Sequence, residues 1–176
     1  MTKVDDVAKY ISVRYKELFN DAIDEMKLHK LLYFAQREYL AKYNKPLFDS
    51  KFEAWTYGPV VTSVREKLQD IISSEDIPEI DGIDVLNDVI LQYAPIPSIE
   101  LSKISHNESS WINARKGLGK YDKCSNQLSE EDIKNDGIKQ LNTKPFSDNI
   151  SKELKSIIDE AAEDIKLGKT EKFQFT

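Results

Sequence analysis

Apolar positions recur at three- and four-residue steps through most of the chain, which is the signature of helices that bury one face. Val4, Val7, Ala8, Ile11, Tyr15, Leu18 and Phe19 form the first such stripe, and the spacing predicts a helix over 4–19 with Asn20 and Asp21 as its connection. A second helix is expected from Asp24 and Glu25, which supply an N-cap and an acidic first turn. Leu28, Leu31, Leu32, Ala35 and Tyr39 keep helical spacing, while Tyr33, Phe34, Leu40 and Ala41 spread the apolar surface around other sides. With so little polar circumference, this helix belongs at the centre of the fold. Asn44 suits the left-handed C-terminal position, and Pro46 bars continuation beyond about Tyr43.

Residues 48–57 change period. Phe48, Phe52, Ala54 and Thr56 alternate with Lys51, Glu53, Trp55 and Tyr57, so a short strand is expected. Gly58 reads as a turn and Pro59 as the first residue of an amphipathic helix carrying Val60, Val61, Val64, Leu68, Ile71 and Ile72. The polar stretch SSEDIPEIDG is a surface loop. Asp84 then caps a helix with Leu86, Val89, Ile90 and Tyr93 inward, which Pro95 and Pro97 end. Ser98 is placed as the cap of a short helix with Leu101 and Ile104, and Asn107 as the cap of another carrying Trp111, Ile112 and Arg115 up to Gly117. Residues 117–128 have no apolar period and read as a loop. Ser129 with Asp132 resembles a capping box, opening a helix that Gly137 weakens. After a linker at Lys144–Ser147, Ile150, Leu154, Ile157, Ile158, Ala161 and Ile165 predict a C-terminal helix over 148–167. That stripe is expected to dock on its own domain, with self-association into a homodimer ranked second.

The fold class expected is therefore mainly α, one compact helical domain over 1–143 with a very short β segment near 48–57. Residues 144–176 add a linker and an amphipathic C-terminal helix packed on it. Length agrees: 176 residues with 40% hydrophobic and 10% aromatic content support one core rather than two. A net charge of -6 argues against sequence-independent nucleic-acid binding. A single cysteine, Cys124, excludes an intramolecular disulfide and a cysteine-based zinc cluster, and fits a reducing cytoplasm. The first residues show no signal-peptide run and no stretch reaches membrane-span length, so a cytoplasmic protein without a membrane partner is expected.

Three stretches, MKLHKLLYFAQREYLAKYNKPLF, FEAWTYGPVV followed by Arg65, and SHNESSWINAR, resemble the Panacea domain, also described as SocA-like or GepA-like. They lie in the family's order, and the resemblance covers roughly 8–116. What it implies is a phage-associated or bacterial antitoxin that binds a cognate toxin protein, in a family whose members resemble one another closely while neutralising quite different toxins. In one branch such a domain hands the toxin to a host protease, so an interaction module or proteolytic adaptor is the alternative.

The residues themselves offer little to an enzyme, and neither catalytic residue nor cofactor is assigned. His29 and His106 are the only histidines. His106-Asn107-Glu108 has deaminase-like H-x-E spacing, but the P-C-x-x-C partner is missing. His29 reads as a partly buried histidine with a local hydrogen bond. Gly117 and Gly119 lack the remainder of a phosphate loop, and Ser109 and Ser110 lack a triad. A small hydrolase or nucleotide-processing enzyme using the two histidines ranks last. Within the family-like motifs, Lys30, Arg37, Arg65, Trp111 and Arg115 are the candidates for partner contact, against internal pairing of the cations with Glu38, Glu53 or Glu66. Leu31, Tyr33, Trp55, Tyr57, Gly58 and Pro59 are read as structural, with core packing favoured for Trp55, Tyr57 and Trp111.

Overall fold

The computed structural model describes residues 2–142 and runs α1 (Val4–Phe19), α2 (Glu25–Tyr43), β1 (Glu53–Trp55), β2 (Gly58–Val60), α3 (Thr62–Glu66), α4 (Leu68–Ile72), α5 (Ile83–Tyr93), α6 (Ser98–His106), α7 (Ser109–Ala114) and α8 (Glu130–Asn142). The mainly α class is as the periodicity indicates. The helix expected over 148–167 lies outside the described residues.

α2 is the axis. Asp24 caps it by accepting from the Lys27 amide at 2.8 Å, and Asn44 ends it in the left-handed conformation at φ 54°. All residues from Lys27 to Leu40 are buried, because α1, α5, α6 and β2 surround the helix. Leu28, Leu31, Leu32, Tyr33 and Phe34 form the middle of the core with Val7 and Ile11 of α1 and Leu86 and Ile90 of α5. Leu18 and Phe19, although on the predicted stripe of α1, are exposed beyond its contact with the core. The segment after α2 has no strand or helix, so its backbone groups need side-chain partners. Gln36 provides them: its Oε1 accepts from the Leu47 amide at 3.0 Å and its Nε2 donates to the Phe48 carbonyl at 3.0 Å.

The alternation over 48–57 holds in burial, with Phe48, Phe52 and Ala54 inside and Lys51 and Tyr57 outside, but the structure is a hairpin rather than one strand. Glu53 pairs with Val60, Ala54 with Pro59 and Trp55 with Gly58, and the turn is Thr56–Tyr57. Pro59 is thus a strand residue, not a helix start. It is tolerated because Ala54 turns its hydrogen-bonding groups away from Pro59: its N–H donates to the Asn126 carbonyl at 2.9 Å and its carbonyl accepts from Arg115. The helix expected from Pro59 to Ser73 begins instead at Thr62 and breaks at Lys67, whose backbone (φ -109°, ψ 15°) leaves the helical region. Lys67 Nζ lies 2.6 Å from Asp5 of α1, and Val64 and Ile71 still reach the core from the two short pieces.

Three caps also differ from expectation. Gly82 at φ 75° precedes α5, leaving Asp84 to bind Lys42 and Tyr43; Pro97 precedes α6, and Ser98 donates to Asp24 at 2.6 Å. α7 is preceded by Glu108, not Asn107, and its first amides are capped from a distance: the Asp136 carboxylate accepts from Ser109 and Ser110 at 2.9 and 2.8 Å. Gly137, beside that cap, is required by packing. A Cβ there would sit 2.5 Å from the Arg37 carbonyl and 2.8 Å from the Ala41 Cβ.

Candidate functional site

The cations of the family-like motifs separate into three environments. Arg37 is wholly interior, its side chain 0% exposed. One guanidinium nitrogen donates to Glu108 at 2.5 Å, and the other to Glu38 at 2.8 Å and the Tyr93 hydroxyl at 2.7 Å. Phe34 and Tyr93 lie against it, with the Phe34 ring centroid at 4.8 Å. Burial opposes the charge, but Tyr93, Glu108 and Glu38 outweigh it and hold the guanidinium above its ordinary value. Burial also pushes the Glu108 carboxyl up, against the pull of Arg37. Nearby, the Tyr33 and Ser110 hydroxyls share a separate hydrogen bond at 2.8 Å. This cluster joins α2, α5 and α7 and has no room for a partner. Arg37 is therefore internally paired with Glu38, as weighed from sequence, and with Glu108, which was not.

Arg115 and Trp111 form the second environment, beneath the hairpin. Arg115 donates to the carbonyls of Ala54 and Asp122, each at 2.8 Å, and Trp111 Nε1 to that of Trp55 at 3.0 Å. The His106 ring stacks on Trp111 at 4.0 Å. Arg115 is buried, and both side chains are committed to holding main chain.

The third environment is a cavity of about 880 Å³. Its walls are the start of α2 (Asp24, Glu25, Met26, His29, Lys30), the hairpin (Glu53 to Tyr57 and Val60), Arg65 of α3 and the loop Lys123–Ser125. Here Lys30 and Arg65 meet Trp55 and Tyr57, two cations and two aromatics singled out in the sequence. Tyr57 is 59% exposed, and Trp55 is only half-buried, which moves both out of the core reading. Trp55 Nε1 donates to Glu53 at 2.8 Å, and the Arg65 guanidinium lies over its ring, 4.7 Å from the centroid. Arg65 also faces Glu25 at 3.4 Å, an acid other than those expected.

Two nitrogens at the cavity are buried with few partners. Lys30 is 1% exposed, and among the described residues its ammonium makes one hydrogen bond, to the Pro59 carbonyl at 3.2 Å. Burial lowers its pKa to about 7, with Asp24 opposing. Gly58, at φ 102°, lets it pass: a Cβ there would lie 2.6 Å from Lys30 Cε and 2.5 Å from Ser105 Oγ. His29 accepts the Val61 amide on Nδ1 at 3.4 Å, so in the neutral ring the proton is on Nε2, which has no partner among the described residues. Burial, with Lys30 and Arg65 adding, lowers the His29 pKa to about 3 and keeps the ring neutral. His29 is thus more buried than expected, and its bond is to a distant segment rather than a local one.

From sequence His29 reads as a partly buried histidine, and as catalytic only in the last-ranked enzyme reading, while Glu25, Met26 and Lys123–Ser125 are not among the expected site residues. Among the described residues no group of three His, Cys, Asp or Glu side chains is placed to hold a metal ion, and no helix is long and apolar enough to cross a membrane. Ser102 and His106 are 3.4 Å apart, but the Ser102 hydroxyl donates to the Tyr57 carbonyl and so is not poised as a nucleophile.

Residues 28–112 match the family described as antitoxin SocA-like, Panacea domain, just under half of the chain and the whole stretch from α2 into α7. The resemblance carried by the three motifs is borne out over that stretch, and the match supports an antitoxin-like and, by the same token, non-enzymatic role. No curated protein and no solved structure matches the chain.

Proposed function

With a Panacea-type antitoxin domain at 28–112 as the premise, we propose that the protein binds a cognate toxin protein and neutralises it without turnover, and that the cavity face carries the contact. The single observation behind the placement is that exposed Tyr57, half-buried Trp55 and Arg65, whose guanidinium lies over the Trp55 ring, line one cavity. Aromatic and arginine side chains are the residue types that anchor protein interfaces. The other motif cations, Arg37 and Arg115, are spent on internal partners and support this face rather than forming it. A toxin covering the hairpin and the start of α2 would meet the residues needed for a stable interface of about 800 Å² per partner.

The test is co-expression of the full chain with the product of the adjacent gene, read as growth and as a complex that survives purification. Rescue of growth with a stable complex is expected, and Tyr57→Ala with Arg65→Gln should weaken both while leaving the fold intact. Arrest unrelieved by the wild-type chain removes the toxin reading. Rescue undiminished in the double variant moves the contact to another face.

A further inference from the structure

The acids and the bases around the cavity are not in the same state. Asp24 accepts from the Lys27 amide and from Ser98, Glu25 faces Arg65, and Glu53 accepts from Trp55 Nε1. Every carboxylate of the wall thus has a donor inside the protein. Lys30 and His29 do not have matching acceptors: one carbonyl serves an ammonium with three N–H groups, and His29 Nε2 has none among the described residues. Both residues are 1% exposed and both line the cavity, so a donor left without an acceptor there is costly and is approached from the cavity side. The cavity is short of hydrogen-bond acceptors at its most buried points.

We propose that this cavity binds a singly charged carboxylate on an apolar body, its oxygens accepting from Lys30 and His29 and its apolar part lying against Met26, Trp55 and Val60. A planar carboxylate offers enough lone pairs for both donors. A phosphate is disfavoured because Asp24, Glu25 and Glu53 on the walls would repel a second negative charge. A neutral amide supplies an acceptor but forgoes the charge-assisted bond to the ammonium. The volume, about 880 Å³, is that of a site for a small organic molecule or a few residues of chain. This inference stands on the cavity alone and does not require the toxin reading.

Calorimetric titration of the full chain with 3-phenylpropionate and hexanoate, each against its amide, tests it. Acid-selective binding is expected, with the amides weaker by about tenfold or more, the scale of a lost charge-assisted hydrogen bond. Lys30→Met should abolish that selectivity with the circular dichroism unchanged. Met26→Trp, which fills the cavity from its partly exposed rim, should block binding without disturbing Lys30 or His29. Growth rescue by Lys30→Met in the co-expression assay separates the two sources of the carboxylate. Lost rescue assigns it to an acidic residue or chain end of the toxin, and retained rescue to a free acid. Equal binding of acids and amides, binding of neither, or undiminished acid binding by Lys30→Met overturns the proposal.

Discussion

Lys30 and Arg37 stand one heptad apart on α2, both inside the protein, yet the fold treats them in opposite ways. Arg37 is met by two carboxylates and a phenol drawn from α2, α5 and the residue preceding α7. Among the described residues Lys30 is met by one main-chain carbonyl. A buried charge is tolerable when its desolvation is offset by good partners, and costly when it is not. The Arg37 cluster is therefore scaffold, its charge met by two carboxylates even though Nε has no partner among the described residues, whereas the Lys30 ammonium has no carboxylate among them. Burial alone does not separate the two; the count of partners does.

Four measurements sharpen or break that contrast. The largest effect is expected from Arg37→Met, which leaves Glu108 and Glu38 buried without their cation and should cost about 3–5 kcal/mol in urea unfolding. A loss below about 1 kcal/mol would put Arg37 on the same footing as Lys30. Gly137→Ala comes next. The new methyl meets the Arg37 carbonyl in the backbone of α2, and about 1–3 kcal/mol is expected from the forced shift.

Lys30→Met should act in the other direction. The folded pKa of Lys30 is lowered to about 7 from 10.5, so between those values the unfolded chain holds a proton that the folded chain has released. Wild-type stability then gains from this group as pH rises from about 7 towards 10.5, by at most about 1.4 kcal/mol per pH unit, and carries the full penalty below that window. The variant lacks that slope, so its advantage over wild type should be larger at pH 7 than at pH 9. An advantage that does not shrink would mean Lys30 is not the titrating group. The smallest change in stability, within about 0.5 kcal/mol, is expected for Tyr57→Ala, because the ring is mostly in water. A loss of several times that would make the hairpin rim part of the scaffold.

Much of the scaffold was legible because local chemistry and tertiary context agree there. Asp24, Asn44 and Pro46 mark the ends of α2, and its apolar girth marks it as central. The hairpin was not legible, since its Thr56–Tyr57 turn has none of the Asn-Gly or Asp-Gly signals, while Gly58-Pro59 imitates a turn followed by a helix start. Nor does any Gly or Pro announce the break at Lys67, where the helix yields to a contact with α1. At the site, Lys30, Arg65, Trp55 and Tyr57 could be singled out by type, but not sorted from Arg37 and Arg115. Sorting them needs to know that Glu108 lies 71 positions from Arg37 in sequence and beside it in space. The loop Lys123–Ser125 closes the cavity without any periodicity that could have pointed to it.

Arg115 and Trp111 hold the hairpin by the carbonyls of Ala54 and Trp55, groups that every residue carries. The attachment is consequently blind to which side chains the hairpin displays. Exposed positions such as Tyr57 can be exchanged, one substitution at a time, without loosening the mount on which they are presented. What the rim displays is thereby uncoupled from what holds it in place.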